Sequence, residues 1–424
     1  MEKSASPGDY VEVETGKEIY EGTFLPSSEK GIFLLKLNNG YNIGFNKKEI
    51  LKIKIVKKIE EKTEKFELKT DSSKKNIALI ITGGTIAARL NPQKGGVDWL
   101  TSPDMLFKFY PEIFEKVNVK KIEVPFMKAS EDMDYKDWQA LAKVAEKLLN
   151  DAEISGVIIT HGTDFLHYTS AALSFFLRDL NKPVVLTYSQ RSVDRASSDA
   201  SLNLECAALM TTSEIAEVML VGHATENDDF CFAMPGTKVR KLHSSRRDAF
   251  KVVNSEPFAK VFADKISKIS DYKLRNKGKV KIDSVFEKNI AVVKIFPGQS
   301  PDILDFYFDK GYKGLVLEVS GLAHIPTERA HEGWTKKLKE VISKGMVVCA
   351  SAQTIYGRLD PLVYSNGREI LETGVIYLED MLSETALVKL GWVLGHKEWA
   401  KDKEIVKEKM LENFAGELNS RLVE

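Results

Sequence analysis

Two short segments combine glycine with hydroxyl side chains where an apolar run ends. NIALIIT (76–82) runs into Gly83, Gly84 and Thr85, and GVIIT (156–160) runs into His161, Gly162, Thr163 and Asp164. A threonine hydroxyl becomes a nucleophile when a base or relay takes its proton. Glycine lets the backbone turn sharply and approach a ligand closely. The N–H groups around Gly84 are then free to stabilise a developing oxyanion. Thr163 offers a second hydroxyl, and Asp164 offers a carboxylate that can hold an amino group. Taken alone, a Gly-Gly-Thr turn is more often structural than chemical. The spacing matches neither GxxxxGK[ST] nor GxGxxG, so a nucleotide site is poorly supported. His161 is tempting as a base, but a lone histidine in such a turn is more often structural. His223, His243, His324 and His331 show no ligand spacing, and no metal site is expected.

Both turns need strands to carry them. Continuous apolar runs such as 76–82 are the pattern of parallel strands covered on both faces. Trp138, Leu141, Ala142, Ala145, Leu148 and Leu149 recur at helical spacing and predict a helix within 134–150. A helix through 171–180 and a strand at 183–189 follow. This alternation predicts an α/β fold with mostly parallel sheets. The pattern weakens over 268–288. It restarts with strands at 289–296, 314–320 and 346–351, a helix near 328–343, and a charged amphipathic helix in the final segment from Glu398.

The first sixty residues differ in kind. Five short β runs, at 11–14, 20–25, 31–37, 41–45 and 50–56, are separated by turn material, and KLNNGYNIGF reads as a tight hairpin. They predict a small SH3-like or OB-like β barrel. The expected organisation is therefore a β-barrel module over 1–60, a charged linker over 61–75, an α/β domain over 76–285 and a second α/β domain with a helical tail over 286–424.

Composition narrows the function. The 424 residues carry 61 Lys+Arg against 61 Asp+Glu, a formal net charge of zero. That argues against gripping nucleic acid by bulk charge. The charge-dense stretch over 47–75 reads as a solvated face and linker. Three cysteines, Cys206, Cys231 and Cys349, contain no CxxC pair. They read as ordinary buried thiols in a reducing, cytoplasmic compartment. No signal-like stretch opens the chain, and no apolar run is long enough for a membrane span.

The pair ITGGTIA and ITHGTDFLHYTSAAL resembles the two signature motifs of the bacterial-type L-asparaginase family, and the resemblance covers roughly residues 76–400. It implies that Thr85 is the nucleophile and that Thr163 and Asp164 form its Thr–Asp pair. A lysine from GTKVRKLHSSRRDAF completes the relay. That places it at Lys241, with Lys238 as the other candidate. KASEDM resembles the segment that holds the substrate's α-groups, which assigns Ser130 and Glu131 to substrate binding alongside Gly84. Such a lysine acts as a base only where burial or another cation lowers its pKa. One departure stands out: many members carry a tyrosine in the lid after the nucleophile. Here ARLNPQKGGVDWL has none, Pro92 sits near that place, and the next tyrosine is Tyr110. Gly95 and Gly96 still suit a closing loop. The family also implies a homodimer.

The N-terminal module, with KVRKLHSSRRDAF, QTIYGRLDPLVYSNGRE and EDMLSETALVKLGWVLG, resembles the archaeal glutamyl-tRNA(Gln) amidotransferase family. This second resemblance spans nearly the whole chain. It implies a glutaminase that releases ammonia to a partner, a second, E-type amidotransferase subunit. That partner binds Glu-tRNA(Gln) and converts it to Gln-tRNA(Gln) with ATP. The resemblance implies no cofactor in this chain, with ATP and Mg at the partner. The assembly implied is a homodimer within a heterotetramer, with little direct tRNA contact. Two other readings are a free-standing L-asparaginase or glutaminase, and an inactive asparaginase fold used as a binding module.

Overall fold

The computed structural model describes residues 5–16, 18–27, 29–58, 71–91, 96–99, 110–193, 195 and 197–421. Strands Tyr10–Thr15, Ile19–Leu25, Ile32–Leu37, Asn42–Asn46 and Ile50–Lys57 form one antiparallel sheet. The first strand pairs with both the second and the last, giving a barrel-like return. Alternate side chains turn Val11, Val13, Phe33, Leu35 and Phe45 inward. The hairpin at 38–40 closes with Gly40 at φ +83° and Phe33 opposite Phe45. Residues 61–70 of the expected linker lie outside the described residues. Its end is packed: Asp71 N donates to Asn118 Oδ1 at 2.9 Å, and Lys74 Nζ donates to the Phe114 carbonyl at 2.8 Å.

The large sheet has eight strands. In order they are Ile266–Lys268, Ala259–Val261, Cys231–Pro235, Val218–His223, Val184–Thr187, Val157–Thr160, Asn76–Ile81 and Asn118–Glu123. The last five in that order are mutually parallel, and the other three add antiparallel at one edge. Strand alternation splits the apolar runs cleanly. Ala78, Ile80, Val157, Ile159, Val184 and Leu186 enter one core. Ile77, Leu79, Ile81, Ile158 and Val185 enter the core on the opposite face. Helices Tyr135–Leu149 and Leu166–Phe176 contribute to the first core and Ala200–Thr211 to the second. This double coverage is why the strands read as unbroken apolar runs.

A second sheet is wholly parallel, with Ile290–Lys294, Gly314–Val319, Val347–Ala352 and Ile376–Tyr377 in order. The two α/β units share a core. Helix Ser383–Gly395 of the second packs on helix Leu166–Phe176 of the first, with Phe175 stacked on Trp392 at 5.6 Å. The three cysteines are free and buried. No helix among the described residues is long and apolar enough to cross a membrane.

Some elements differ from expectation. The helix expected over 134–150 runs from Tyr135 to Leu149, where Asp134 and Asp137 form a capping box. The helix expected over 171–180 starts earlier, at Leu166, and stops at Phe176. Leu177–Arg178 instead pairs with Lys281–Ile282, and Asp179 takes φ +56°. Only Thr335–Ser343 of 328–343 is helical. The preceding residues loop so that Trp334 N reaches the Pro326 carbonyl at 3.0 Å and its ring is buried. Among the described residues the tail is helical over Lys403–Leu411 only. Beyond it, Glu417 accepts from Phe414 N and Ala415 N and pairs with Lys389 at 2.6 Å, both side chains fully buried. Satisfying that buried carboxylate takes the chain out of helical conformation.

Candidate active site

Chain order and sheet order disagree at one place. After Asn76–Ile81 the chain adds Asn118–Glu123 on one side, then crosses over to Val157–Thr160 on the other. In open α/β sheets ligands bind beyond the carboxyl ends of the strands at such a reversal. The two glycine–threonine turns leave the sheet there side by side.

Their backbones are in contact. Thr82 Oγ1 donates to the Thr160 carbonyl at 2.7 Å, and Thr82 N donates to the same oxygen at 3.2 Å. Gly84 has φ +83°, and a Cβ built on it would lie 2.5 Å from Gly162 N. Any side chain there would separate the turns. Thr85 opens the short 3-10 turn Thr85–Ala87 and is partly exposed. Among the described residues its hydroxyl makes no hydrogen bond. Behind it, buried Tyr110 donates its phenolic O–H to the Ile86 carbonyl at 3.1 Å, and burial pushes the phenol well above its ordinary pKa.

The second turn gathers the other candidates. Lys241 Nζ donates to Thr163 Oγ1 at 2.8 Å and to Asp164 Oδ1 at 2.9 Å. Thr163 is buried and the Lys241 side chain is 9 % exposed, whereas Asp164 is 61 % exposed and opens to solvent. Ser130, in the 3-10 turn Ser130–Asp132, is buried against Gly162; its Oγ accepts from Phe165 N and donates to Glu131 Oε2, both at 3.3 Å. Ser130 therefore touches the second turn, and Glu131 projects outward beside it. The lid residues after Thr85 form a hairpin, Ala88–Asn91 with Gly96–Trp99; Pro92 and Gly95 lie outside the described residues.

Two other candidates have different surroundings. His161 is fully buried. Its Nδ1 bonds the Gly162 carbonyl at 2.7 Å, so that nitrogen carries the proton, and Nε2 meets Thr169 Oγ1 at 2.9 Å. Burial, opposed by the bond to Gly162, pulls its pKa down to about 4. It is a neutral brace for the turn. Lys238 points away from the site and pairs with Asp380 at 2.7 Å, both 1 % exposed. The alternative lysine is thus occupied elsewhere. Sequence reasoning did not single out Arg240, whose Nη2 pairs with Glu384 Oε1 at 2.8 Å. The alternating cations of LysValArgLys at 238–241 were the available signal.

Residues 5–56 match the GatD N-terminal domain, 76–273 the N-terminal asparaginase domain, and 289–409 the glutaminase/asparaginase C-terminal domain. The thermostable L-asparaginase from Thermococcus kodakarensis superposes with a TM-score of 0.72 at 29 % identity, covering 82 % of this chain and 100 % of that one. L-asparaginase I from Vibrio cholerae gives 0.67 at 26 % identity, covering 82 % and 99 %. The GatD subunit of glutamyl-tRNA(Gln) amidotransferase from Pyrococcus furiosus is 45 % identical over 98 % of this chain and 96 % of its own length. The GatD subunit from Methanococcus maripaludis is 40 % identical over 98 % of each. On this similarity over nearly the full length of both sequences, the chain belongs to the GatD family of glutamyl-tRNA(Gln) amidotransferase subunits.

Proposed function

We propose that this chain is the glutaminase subunit of a tRNA-dependent amidotransferase. The observation that carries the reading is the contact of Lys241 with both Thr163 and Asp164, next to the turn that presents Thr85. The Thr85 hydroxyl attacks the side-chain amide carbon of glutamine. The oxyanion formed faces the N–H groups of the Gly84–Thr85 turn. The step requires that Nζ of Lys241 first give up a proton, and its bond to Thr163 then reverses. Thr163 takes the proton leaving Thr85 and passes its own to Nζ. That proton returns to the amide nitrogen as ammonia leaves, and water then cleaves the γ-glutamyl ester to free glutamate and Thr85. Asp164, Ser130 and Glu131 hold the substrate's ammonium and carboxylate ends.

The ammonia passes to a second, E-type subunit, which binds Glu-tRNA(Gln) and spends ATP on amidation. The assembly is a homodimer of this chain within a cytoplasmic heterotetramer, with little tRNA contact from this chain. The near-balanced charge supports that division of labour. The test is Thr85→Ala in the assembled complex. Glutamine-dependent amidation should be lost and ammonia-dependent amidation kept; loss of both in a correctly assembled complex would count against the reading. The likeness to L-asparaginases supports a second reading, a free-standing amidase. Efficient asparagine hydrolysis by the chain alone, unchanged by partner and tRNA, would favour it.

A further inference from the structure

Strand Val239–Lys241 pairs with Phe250–Val252, with Arg240 opposite Lys251 and Lys241 opposite Phe250. Side chains alternate between faces along a strand. Lys241 reaches Thr163 and Asp164 on one side. Arg240, and Lys238 just before the strand, reach the other side, into the second α/β unit. Lys238 meets Asp380 at 2.7 Å and Arg240 meets Glu384 at 2.8 Å. Asp380 is held further by Asn419, whose N and Nδ2 donate to its two oxygens at 3.0 and 2.7 Å.

Both acids sit at one end of helix Ser383–Gly395. Glu384 lies in its first turn and Asp380 three residues before it. The same helix stacks Trp392 on Phe175 of helix Leu166–Phe176, and only Phe165 separates that helix from Asp164. The two sides of the Lys241–Thr163 contact are therefore fixed to one common element. Burying two ion pairs is a poor source of stability, because desolvation offsets most of the Coulombic gain. Glu384 illustrates the cost: its Oε2 is buried with no hydrogen-bond partner among the described residues, and burial pushes its carboxyl up against the pull of Arg240. Such pairs serve better to select one arrangement of the strand.

We infer that Arg240 and Lys238 are positioning residues. Their pairs with Glu384 and Asp380 set where the strand lies, so that the Lys241 amine meets Thr163. Amide hydrolysis in the first α/β unit is thereby made conditional on docking of the second. The inference rests on the role proposed for Lys241.

The test compares Arg240→Gln, Arg240→Lys and Glu384→Gln in the full chain within its complex, all assayed well below their measured unfolding temperatures. Arg240→Gln should lower kcat for glutamine about tenfold or more while KM stays within about twofold. Glu384→Gln should change in the same direction. Arg240→Lys restores a cation opposite Glu384 and should recover most of the rate. If Arg240→Gln lowers the unfolding temperature yet keeps kcat, the residue is only structural and the inference fails. It also fails if Arg240→Lys is as slow as Arg240→Gln. Lys241→Ala, run alongside, separates two failures. If it hydrolyses glutamine normally, the reading of the site falls and this inference with it. If it is inactive while Arg240→Gln is not, only this inference falls.

Discussion

Lys241 Nζ lies 2.8 Å from Thr163 Oγ1 although 78 residues of chain separate them. The lysine comes from a short strand on one side of the sheet's carboxyl ends, and the threonine from the turn that follows Val157–Thr160. The same amine reaches Asp164, so a cation, a hydroxyl and a carboxylate converge beside the Thr85 turn. In the proposed reaction this is the proton route.

Removing the amine should therefore cost rate more than binding. Lys241→Met is expected to lower kcat for glutamine hydrolysis by about 10²- to 10⁴-fold, the usual range for a positioned proton-transfer group. Ammonia-dependent amidation by the same complex should be unaffected. Steady-state assays with glutamine and with ammonium as nitrogen donor check both halves, and an unchanged glutamine rate would remove Lys241 from the mechanism.

Gly84 and Gly298 make a controlled pair. Both have strongly positive φ, but a Cβ at Gly298 meets nothing within 4 Å, whereas one at Gly84 strikes the Gly162 backbone at 2.5 Å. Gly298→Ala should cost only the left-handed strain, about 1–2 kcal/mol. Gly84→Ala should cost more and should also abolish glutamine hydrolysis by prising the two turns apart. Denaturant unfolding of both variants, with activity measured alongside, decides this; equal destabilisation would show that the close approach carries no weight.

Acid should weaken the fold through the turn itself. Burial holds folded His161 near pKa 4, against 6.5 for the free imidazole. Between those values the unfolded chain binds a proton that the folded chain refuses. Stability from this residue is complete above pH 6.5 and falls as pH drops towards 4. The loss is up to about 3 kcal/mol across that window. His167, pulled down to about 3 mainly by burial, acts in the same direction. Unfolding curves taken from pH 7 to pH 4 should show a shallower pH dependence for His161→Gln than for the unaltered chain. An identical slope would mean that His161 takes up its proton as readily in the fold as in the unfolded chain.

Much of this molecule was legible in local sequence. The runs at 76–82 and 156–160 read as covered strands because they are short, unbroken, rich in β-branched residues and followed by glycine turns. Gly83 and Gly84 after the first run read as a turn, because glycine tolerates left-handed backbone and close approach. The helix over Tyr135–Leu149 carried both its period and its cap in the residues themselves. The motif resemblance supplied Thr85, Thr163 and Asp164 as a set, and local pattern alone left Gly-Gly-Thr a turn among others. Tertiary structure decided what depends on distant partners. Lys238 and Lys241 sit three residues apart in one cationic segment and cannot be told apart by type or spacing. Asp380 lies 142 residues from the first, and Thr163 78 residues from the second. Which lysine meets which oxygen depends on how the strand between them is packed. The tail followed the same logic. Its composition reads as helix, but the buried Lys389–Glu417 pair outweighs local propensity, since a charge taken out of water must find its partner wherever the chain has placed it.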